Sequence, residues 1–138
     1  MTNRCKAFTL LEMMLVIAII GIMATFAIPA FQDYVVRARV MEGMSMSMPA
    51  RIAVTEAYMA NHEYPVSQQS AGYQSPAPSK NVDNISISSG TGVITISYTA
   101  QAGGGTLILT PEVKDDGQIT WDCQQGTLPE KFKPRVCR

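Results

Sequence analysis

The chain has 138 residues, and its 11 lysines and arginines balance 11 aspartates and glutamates. This length predicts a single domain. Zero net charge argues against a broadly basic nucleic-acid-binding protein and against an acidic disordered tail. The apolar fraction, 46%, is ordinary for a globular protein. The apolar residues are unevenly distributed, however, and one segment holds many of them.

That segment lies near the N-terminus. Residues 13–31, MMLVIAIIGIMATFAIPAF, carry no charge over 19 positions. As a helix they would measure roughly 28 Å, about the thickness of the hydrocarbon core of a bilayer. Arg4 and Lys6 precede the segment without any acid, which places the N-terminus in the cytoplasm. No small-residue cleavage site follows it, so we expect a retained membrane helix with the rest of the chain outside.

Glu12 is the one ionisable residue between Ala7 and Phe31. It has two interpretations. An acid in the first turn of a helix is favoured by the helix macrodipole. Alternatively, a charge inside an apolar run costs a few kcal/mol and usually has a partner. A cut just before Phe8 would create an α-amino group one turn away, on the same chain or on a neighbouring one, and Glu12 would then set the register of assembly.

Helical periodicity continues beyond the membrane segment and predicts a helix from about Phe8 to Ala60. Beyond Pro29, five apolar residues recur at spacings of three, four or seven and form one stripe of this helix: Met41, Met44, Met48, Ile52 and Met59. Residues that favour bends interrupt the helix at four positions: Gly21, Pro29, Gly43 and Pro49.

A long irregular connection is predicted for residues 61–84, where serine, glutamine, proline and asparagine dominate. Alternating apolar residues then predict four strands, at residues 85–88, 93–99, 106–110 and 118–123, with Pro111 limiting the third. One sheet face should bury Ile85, Ile87, Ile94, Ile96, Leu107 and Leu109 against the methionine stripe. The fold class is therefore α+β, with one long helix packed on a four-stranded antiparallel meander.

Three cysteines are present. Cys5 precedes the membrane segment, whereas Cys123 and Cys137 lie in the part expected outside, where disulfides form. Those two can pair in only one way, and closing a loop of about 15 residues would contribute roughly 3 kcal/mol. Metal ligation is the alternative, but no histidine or further cysteine lies nearby. Trp121 is expected to pack in the core beneath this loop.

The same loop carries four cations against the single acid Glu130: Lys131, Lys133, Arg135 and Arg138. They form a candidate surface basic patch for an anionic surface or a nucleic acid. The other interpretation is an ordinary solvated face. Asp115 and Asp116 indicate a turn or, alternatively, the start of a calcium site. No arrangement of a nucleophile and a base, phosphate loop or metal cluster is recognisable, so we predict no enzyme and no cofactor.

The N-terminal sequence KAFTLLEMMLVIAIIGIMATFAIPAFQDY resembles that of type IV pilins. The matching elements are a short basic leader, a small residue before Phe8, Glu12 four positions later, and Pro29 followed by FQDY. The resemblance is strong over residues 4–36. The layout of the remainder, with its loop, four strands and terminal cysteine pair, is similar to the family without comparable identity.

The resemblance implies a processing and assembly pathway. A prepilin peptidase would cut between Ala7 and Phe8 and methylate the Phe8 nitrogen, although the usual family residue before the cut is glycine. Glu12 would recruit each subunit through its neighbour's N-terminus. The apolar helices would bundle in the filament core, where Gly21 and Pro29 would permit local unwinding. The implied organisation is a leader at 1–7, a transmembrane helix at 8–35 and a head at 36–138, in which helix 36–60, loop 61–84, sheet 85–123 and disulfide loop 123–137 follow in order.

The function that the resemblance implies is a structural subunit of a type IV pilus of a Gram-negative bacterium, serving adhesion, twitching motility or DNA uptake. Its partners would be identical or related pilin subunits, the prepilin peptidase, the inner-membrane assembly machinery, the membrane before assembly, and a host receptor or DNA. The alternatives are a pseudopilin of a type II secretion system, a DNA-binding minor pilin, and a membrane-anchored monomer. The last of these leaves Glu12 unexplained.

Overall fold

The structure is a computed structural model and describes residues 8–138. Two helices, α1 (Leu10–Met46) and α2 (Met48–Asn61), precede a four-stranded antiparallel sheet in the order β1-β2-β3-β4. Its strands are β1 (Val82–Ile87), β2 (Ile94–Tyr98), β3 (Gly105–Val113) and β4 (Ile119–Asp122). The chain divides into two compact units, one ending at Tyr34 and the other comprising Val35–Arg138. The predicted α+β class and four-stranded meander are confirmed.

In the N-terminal unit, the helix carries an uncovered apolar surface. Every residue in the range 8–32 is exposed except Ala24, which is half-buried. The helix is long and apolar enough to cross a membrane, by length and composition. It remains α-helical through Gly21 and Pro29, and the Thr25 hydroxyl donates to the Gly21 carbonyl at 3.0 Å. The single chain therefore keeps its helix at both residues, and unwinding there in a filament stays a prediction.

The predicted continuous helix is instead divided at Ser47. This residue is fully buried, and its Oγ donates to the Met44 carbonyl at 2.7 Å. Pro49 lies in the first turn of α2, where its missing N–H removes no intrahelical bond because first-turn amides have no partner there. A proline inside one uninterrupted helix would remove such a bond, and a second helix start avoids that cost.

The face that α1 and α2 turn toward the sheet is not the predicted methionine stripe. Four members of that stripe are about half exposed: Met41, Met48, Ile52 and Met59. The buried helix face instead consists mostly of small side chains, at Val40, Gly43, Ser47, Ala50 and Val54. Small side chains let the helix backbone approach the sheet closely, and the bulky side chains of the interface come from the strands. The helical periodicity was predicted correctly, but the methionine stripe is not the face that packs on the sheet.

The predicted sheet core is confirmed. All six inward residues are buried to 6% exposure or less: Ile85, Ile87, Ile94, Ile96, Leu107 and Leu109. Ile96 pairs with Ile85 on one side and with Leu107 on the other. Because side chains alternate along a strand, this register puts every second residue on the core face. Each fully buried side chain of this size contributes roughly 1.5–3 kcal/mol.

Strand β3 continues past Pro111 to Val113, so the prediction that Pro111 limits this strand was wrong. The β2–β3 pairing ends at Leu109, and beyond it β3 pairs only with β4, where Pro111 lies opposite Trp121. The amide of Ile108 points away from β2, toward the Gln125 carbonyl. By alternation the nitrogen of Pro111 faces the side where β2 has already ended. A proline is tolerated in a strand at such an unpaired edge.

Candidate functional site

A reciprocal hydrogen-bonded cap surrounds Glu12 at the start of α1. The Glu12 carboxylate accepts hydrogen bonds from the backbone N–H of Thr9 at 3.0 Å and from its hydroxyl at 2.9 Å. The Glu12 amide in turn donates to the Thr9 hydroxyl at 3.2 Å. This is a capping box, in which a threonine and a glutamate three residues later satisfy each other's amides. The sequence TLLE carries this signal, which our sequence analysis did not use.

The cap gives Glu12 a structural role in the single chain, that of capping α1, and uses only one of its two carboxylate oxygens. Both donors from Thr9 reach the same oxygen, Oε2. An ionised carboxylate offers about four acceptor positions, so the side chain can accept another donor while it caps the helix. Phe8 lies immediately before this cap and is 70% exposed. Ala7 and the rest of the leader lie outside the described residues.

Cys123 and Cys137 form the predicted disulfide, with an S–S distance of 2.02 Å. Both cysteines are buried in the core of the second unit. The loop that they close is held along β3, where the Ile108 amide donates to the Gln125 carbonyl at 3.1 Å and the Leu128 amide donates to the Thr106 carbonyl at 2.9 Å. The loop is therefore attached to the sheet by backbone bonds as well as by the covalent bridge.

Lys133 does not belong to the surface patch that the sequence suggested. Its side chain is buried, at 4% exposure. The ammonium donates to the Gln124 carbonyl at 2.6 Å and to the Glu130 carboxylate at 2.9 Å. A buried charge requires such partners because desolvation would otherwise be costly. Lys133 thus stabilises the interior of the disulfide loop, whereas Lys131, Arg135 and Arg138 are exposed.

Two arginines of α1 reach the C-terminal part of the chain. Arg37 donates through Nε to the Lys131 carbonyl at 2.6 Å, and Arg39 donates through Nη1 to the Gln101 carbonyl at 2.7 Å. Arg138 donates to the same Lys131 carbonyl at 3.2 Å. The exposed cations at this end of the molecule therefore include Arg37, which no sequence pattern connects with the C-terminus.

Trp121 packs at the edge of the core, and Asp115 and Asp116 lie in the turn between β3 and β4. Trp121 is half-buried and packs against the core cluster from its edge, and its predicted position beneath the disulfide loop stays a prediction. It also lines a groove of about 280 Å³ together with residues 48–56 of α2. Asp116 accepts a hydrogen bond from the Gln118 amide at 3.0 Å, which closes the turn between β3 and β4. Among the described residues, no group of three or more histidine, cysteine, aspartate or glutamate side chains could hold a metal ion.

Comparisons with known proteins agree with this architecture. A family model described as "Pilin (bacterial filament)" matches residues 36–138, and one described as "Prokaryotic N-terminal methylation motif" matches residues 2–28. The chain is 37% identical to the fimbrial protein EcpC of Eikenella corrodens, over 96% of this chain and 90% of that protein.

Neisserial proteins are similar to a comparable degree. A fimbrial protein of Neisseria meningitidis serogroup A is 38% identical over 87% of this chain and 73% of its own length. The type IV major pilin protein PilE1 of Neisseria gonorrhoeae is 36% identical over 91% of this chain and 73% of its own length.

The fold and these matches define a filament-forming structural protein, built from an uncovered apolar helix and a disulfide-bonded head. The chain belongs to the type IV pilin family and is a structural subunit of a type IV pilus. Assembly into a pilin polymer accounts for an apolar helix surface that is exposed among the residues the structure describes. The relatives do not favour the secretion pseudopilin or the DNA-binding minor pilin as alternatives.

Proposed function

We propose that this subunit is held in the inner membrane of a Gram-negative bacterium as a precursor and then passes into a surface filament. The main support for this proposal is the exposed apolar surface of residues 8–32. A helix that is apolar all round needs either lipid or other helices around it. The membrane provides the first environment and the filament core provides the second, so the same surface serves both states.

Processing of the leader completes the assembly site in this proposal. The prepilin peptidase cuts between Ala7 and Phe8 and the Phe8 nitrogen is methylated, in agreement with the match to an N-terminal methylation motif. The cut leaves an α-amino group beside the Glu12 cap. Glu12 of one subunit then accepts a charge-assisted hydrogen bond from the N-terminus of its neighbour, inside an apolar surrounding where such a bond is strong.

The capping box allows the two roles of Glu12 to be separated by substitution. Glu12→Gln keeps an acceptor suited to a capping box but removes the charge that would attract an amine. Thr9→Ala removes the threonine hydroxyl from the cap but keeps the charge. We expect Glu12→Gln to abolish surface filaments and Thr9→Ala to retain them at reduced number, by electron microscopy of sheared fractions, with membrane insertion unchanged in both.

The two variants distinguish the contribution of the Glu12 charge from the contribution of the helix cap. Filaments of normal number in Glu12→Gln would remove the charge-pairing role from the proposal. Filaments lost in Thr9→Ala but present in Glu12→Gln would assign the requirement to helix capping. Membrane insertion of each variant, measured by fractionation, controls for loss of the precursor.

In the filament, the subunit serves adhesion, twitching motility or uptake of DNA, with a host receptor or DNA as the partner and the inner-membrane assembly machinery as the polymerising apparatus. The disulfide loop supports a contact role because Gln124, Gln125 and Thr127 are exposed. Cells that carry a loop variant, Gln124→Ala combined with Gln125→Ala, should keep their filaments but lose attachment if this loop meets a receptor. Unchanged attachment would place receptor binding elsewhere.

A further inference from the structure

A groove on the head contains a cation that has no counter-charge among the described residues. Arg51 is half-buried, and its Nε is shielded from water without a hydrogen-bond partner in the described part of the chain. Its Nη2 reaches the Met44 carbonyl at 3.4 Å and the Met48 sulfur at 2.7 Å, and a thioether is a weak acceptor. No described carboxylate forms an ion pair with Arg51. Because a partly desolvated charge is costly unless it is paired, an acid from outside the single chain would stabilise this guanidinium.

The side chains around Arg51 are mainly apolar and accessible. The α2 groove, as we define it, has a volume of about 280 Å³ and belongs to the compact unit Val35–Arg138. Met48 and Ile52 in it are 50% and 53% exposed. Exposed apolar patches mark interaction sites, and methionine, tryptophan and arginine are enriched in protein interfaces. The six residues that line the groove are Met48, Arg51, Ile52, Thr55, Glu56 and Trp121.

The turn between β3 and β4 presents the groups that complement this groove. In the turn, Val113 is 41% exposed and is followed by Lys114 and Asp115, which are exposed and whose side chains have no partner among the described residues. The groove offers apolar side chains, the cation Arg51 and the exposed acid Glu56. One apolar group, one cation and one acid therefore face their counterparts when a turn meets a groove, and the two surfaces fit in charge.

The backbone of this turn is fixed before any contact forms. The Lys114 amide donates to the Gln118 carbonyl at 2.9 Å, and the Gly117 amide donates to the Lys114 carbonyl at 2.8 Å. The Asp116 carboxylate accepts from the Gln118 amide at 3.0 Å. A segment that is already ordered loses little conformational entropy on docking, so the turn is suited to insertion into a groove.

We propose that the β3–β4 turn of one subunit docks in the α2 groove of a neighbouring subunit. Asp115 pairs there with Arg51, and Lys114 pairs with Glu56. Because two different surfaces meet, each subunit uses its turn on one neighbour and its groove on another, and such a contact can extend without closing. The inference rests on assembly of this chain into a filament. It adds a contact between heads to the bundling of the apolar helices.

Carbodiimide cross-linking of purified wild-type filaments tests the contact without any substitution. The reagent joins an amine to a carboxylate that it touches, forming an amide, and takes up the released water as a urea. We expect subunit dimers in which mass spectrometry finds Lys114 joined to Glu56. Unassembled protein in micelles should not form this linkage, and Glu56→Gln filaments should lack it. In Arg51→Lys filaments, the introduced amine should give a second linkage, between position 51 and Asp115.

A charge swap tests whether the contact supports assembly. Arg51→Glu and Asp115→Arg each place like charges together, which is strongly unfavourable at an interface. Each should reduce the number of filaments per cell by a factor of about ten or more. The double variant Arg51→Glu/Asp115→Arg restores an opposite pair and should recover most filaments. Asp83→Arg, an equivalent substitution of an exposed acid on β1 at the opposite edge of the sheet, is the matched control and should retain them.

Four results would overturn the proposal: no linkage of Lys114 to Glu56 in wild-type filaments, the same linkage in unassembled protein, normal filament number in both single variants, or no recovery in the double variant. Linkage of Glu56 to a different lysine or to another protein would exclude the turn as the occupant. Near-ultraviolet circular dichroism of each variant in micelles controls for folding, and the wild-type linkage decides the question if Arg51→Glu does not fold. Failure of these tests leaves assembly through the apolar helix, as tested with Glu12→Gln, untouched.

Discussion

At the scale of single residues, Gly43 determines how closely α1 approaches the sheet. A Cβ atom built at this position would lie 2.5 Å from the ring of Tyr98. That ring cannot move aside easily, because it is buried and its hydroxyl donates to the Val40 carbonyl at 2.9 Å. Burial also raises the pKa of the Tyr98 hydroxyl, so it stays protonated and remains a donor. Gly43 is thus required for packing and does not act as a helix bend.

We therefore expect Gly43→Ala to lower the free energy of unfolding by about 1–3 kcal/mol, the usual cost of overpacking. Denaturant unfolding of the full chain in micelles, followed by near-ultraviolet circular dichroism, measures the change. Gly21→Ala is the matched control, because no atom lies within 4 Å of a Cβ there. Gly21→Ala should leave this unfolding transition unchanged. Equal stability of Gly43→Ala and the wild type would contradict the assigned contact.

Glu42 gives the head a defined dependence on pH. Its carboxylate accepts hydrogen bonds from the Asn81 amide group and, at 2.8 Å, from the Ser79 hydroxyl. These bonds hold the pKa of Glu42 below its ordinary value of 4.5. When the pKa of a carboxyl group is lower in the folded protein than in the unfolded chain, the ionised group stabilises the fold at pH values above its unfolded pKa. This stabilisation is lost as the pH falls through the folded pKa.

Unfolding measured across acidic pH should therefore show stability decreasing below about pH 4.5, the ordinary carboxyl value. Glu42→Gln should be less stable than the wild type at neutral pH and should lose less on acidification. Glu56→Gln removes an exposed carboxylate of α2 that accepts no hydrogen bond from the described residues, and it should behave as the wild type. A Glu42→Gln profile parallel to that of the wild type would show that this carboxylate does not couple to folding.

At the scale of elements, the disulfide loop is stabilised covalently and by Lys133. In the chain-entropy model, a bridge that closes a loop of about 15 residues contributes roughly 3 kcal/mol, and the observed sequence separation is 14. Replacing Cys123 and Cys137 by serine should lower the free energy of unfolding by about this amount. Denaturant unfolding of the wild type with and without reductant provides the control, because reduction removes the same bridge without placing serine hydroxyls in the core.

If the oxidised wild type and the serine variant unfolded at the same denaturant concentration, the bridge would contribute nothing to stability. The loop would then be held by its backbone bonds to β3 and by the Lys133 contacts alone. The fully buried Cys137 makes this outcome unexpected, since serine would also place a polar group in the core.

At the scale of the whole molecule, the intact mass of the surface protein reports on leader cleavage, methylation and disulfide formation together. The protein in a fraction sheared from the cell surface should lack residues 1–7, carry one added methyl group and gain two hydrogens on reduction. Mass spectrometry of the intact chain with and without reductant measures all three. The membrane fraction of cells lacking the peptidase should retain the leader. A surface protein that kept residues 1–7 would contradict the cleavage before Phe8 and remove the amine that Glu12 is proposed to bind.

The sequence by itself determined the features whose signals lie within one element. The uncharged run of residues 13–31 predicted the apolar helix, because length and composition are local properties. Alternation predicted the core face of the sheet, since the period of a strand fixes which side each residue faces. The one pair of cysteines outside the leader predicted the disulfide. The capping-box sequence TLLE is equally local, so the cap could also have been predicted from the sequence.

Only the tertiary structure decided which surfaces meet. Helical periodicity does not reveal the buried face when that face includes glycine, serine and alanine beside two valines, so the contact of Gly43 with Tyr98 could not be read from α1 alone. Lys133 looks like a surface cation until Glu130 and the Gln124 carbonyl are placed around it. Arg37 joins the C-terminal cations across 94 residues of sequence. Such contacts depend on close packing between distant segments, and no local pattern encodes them.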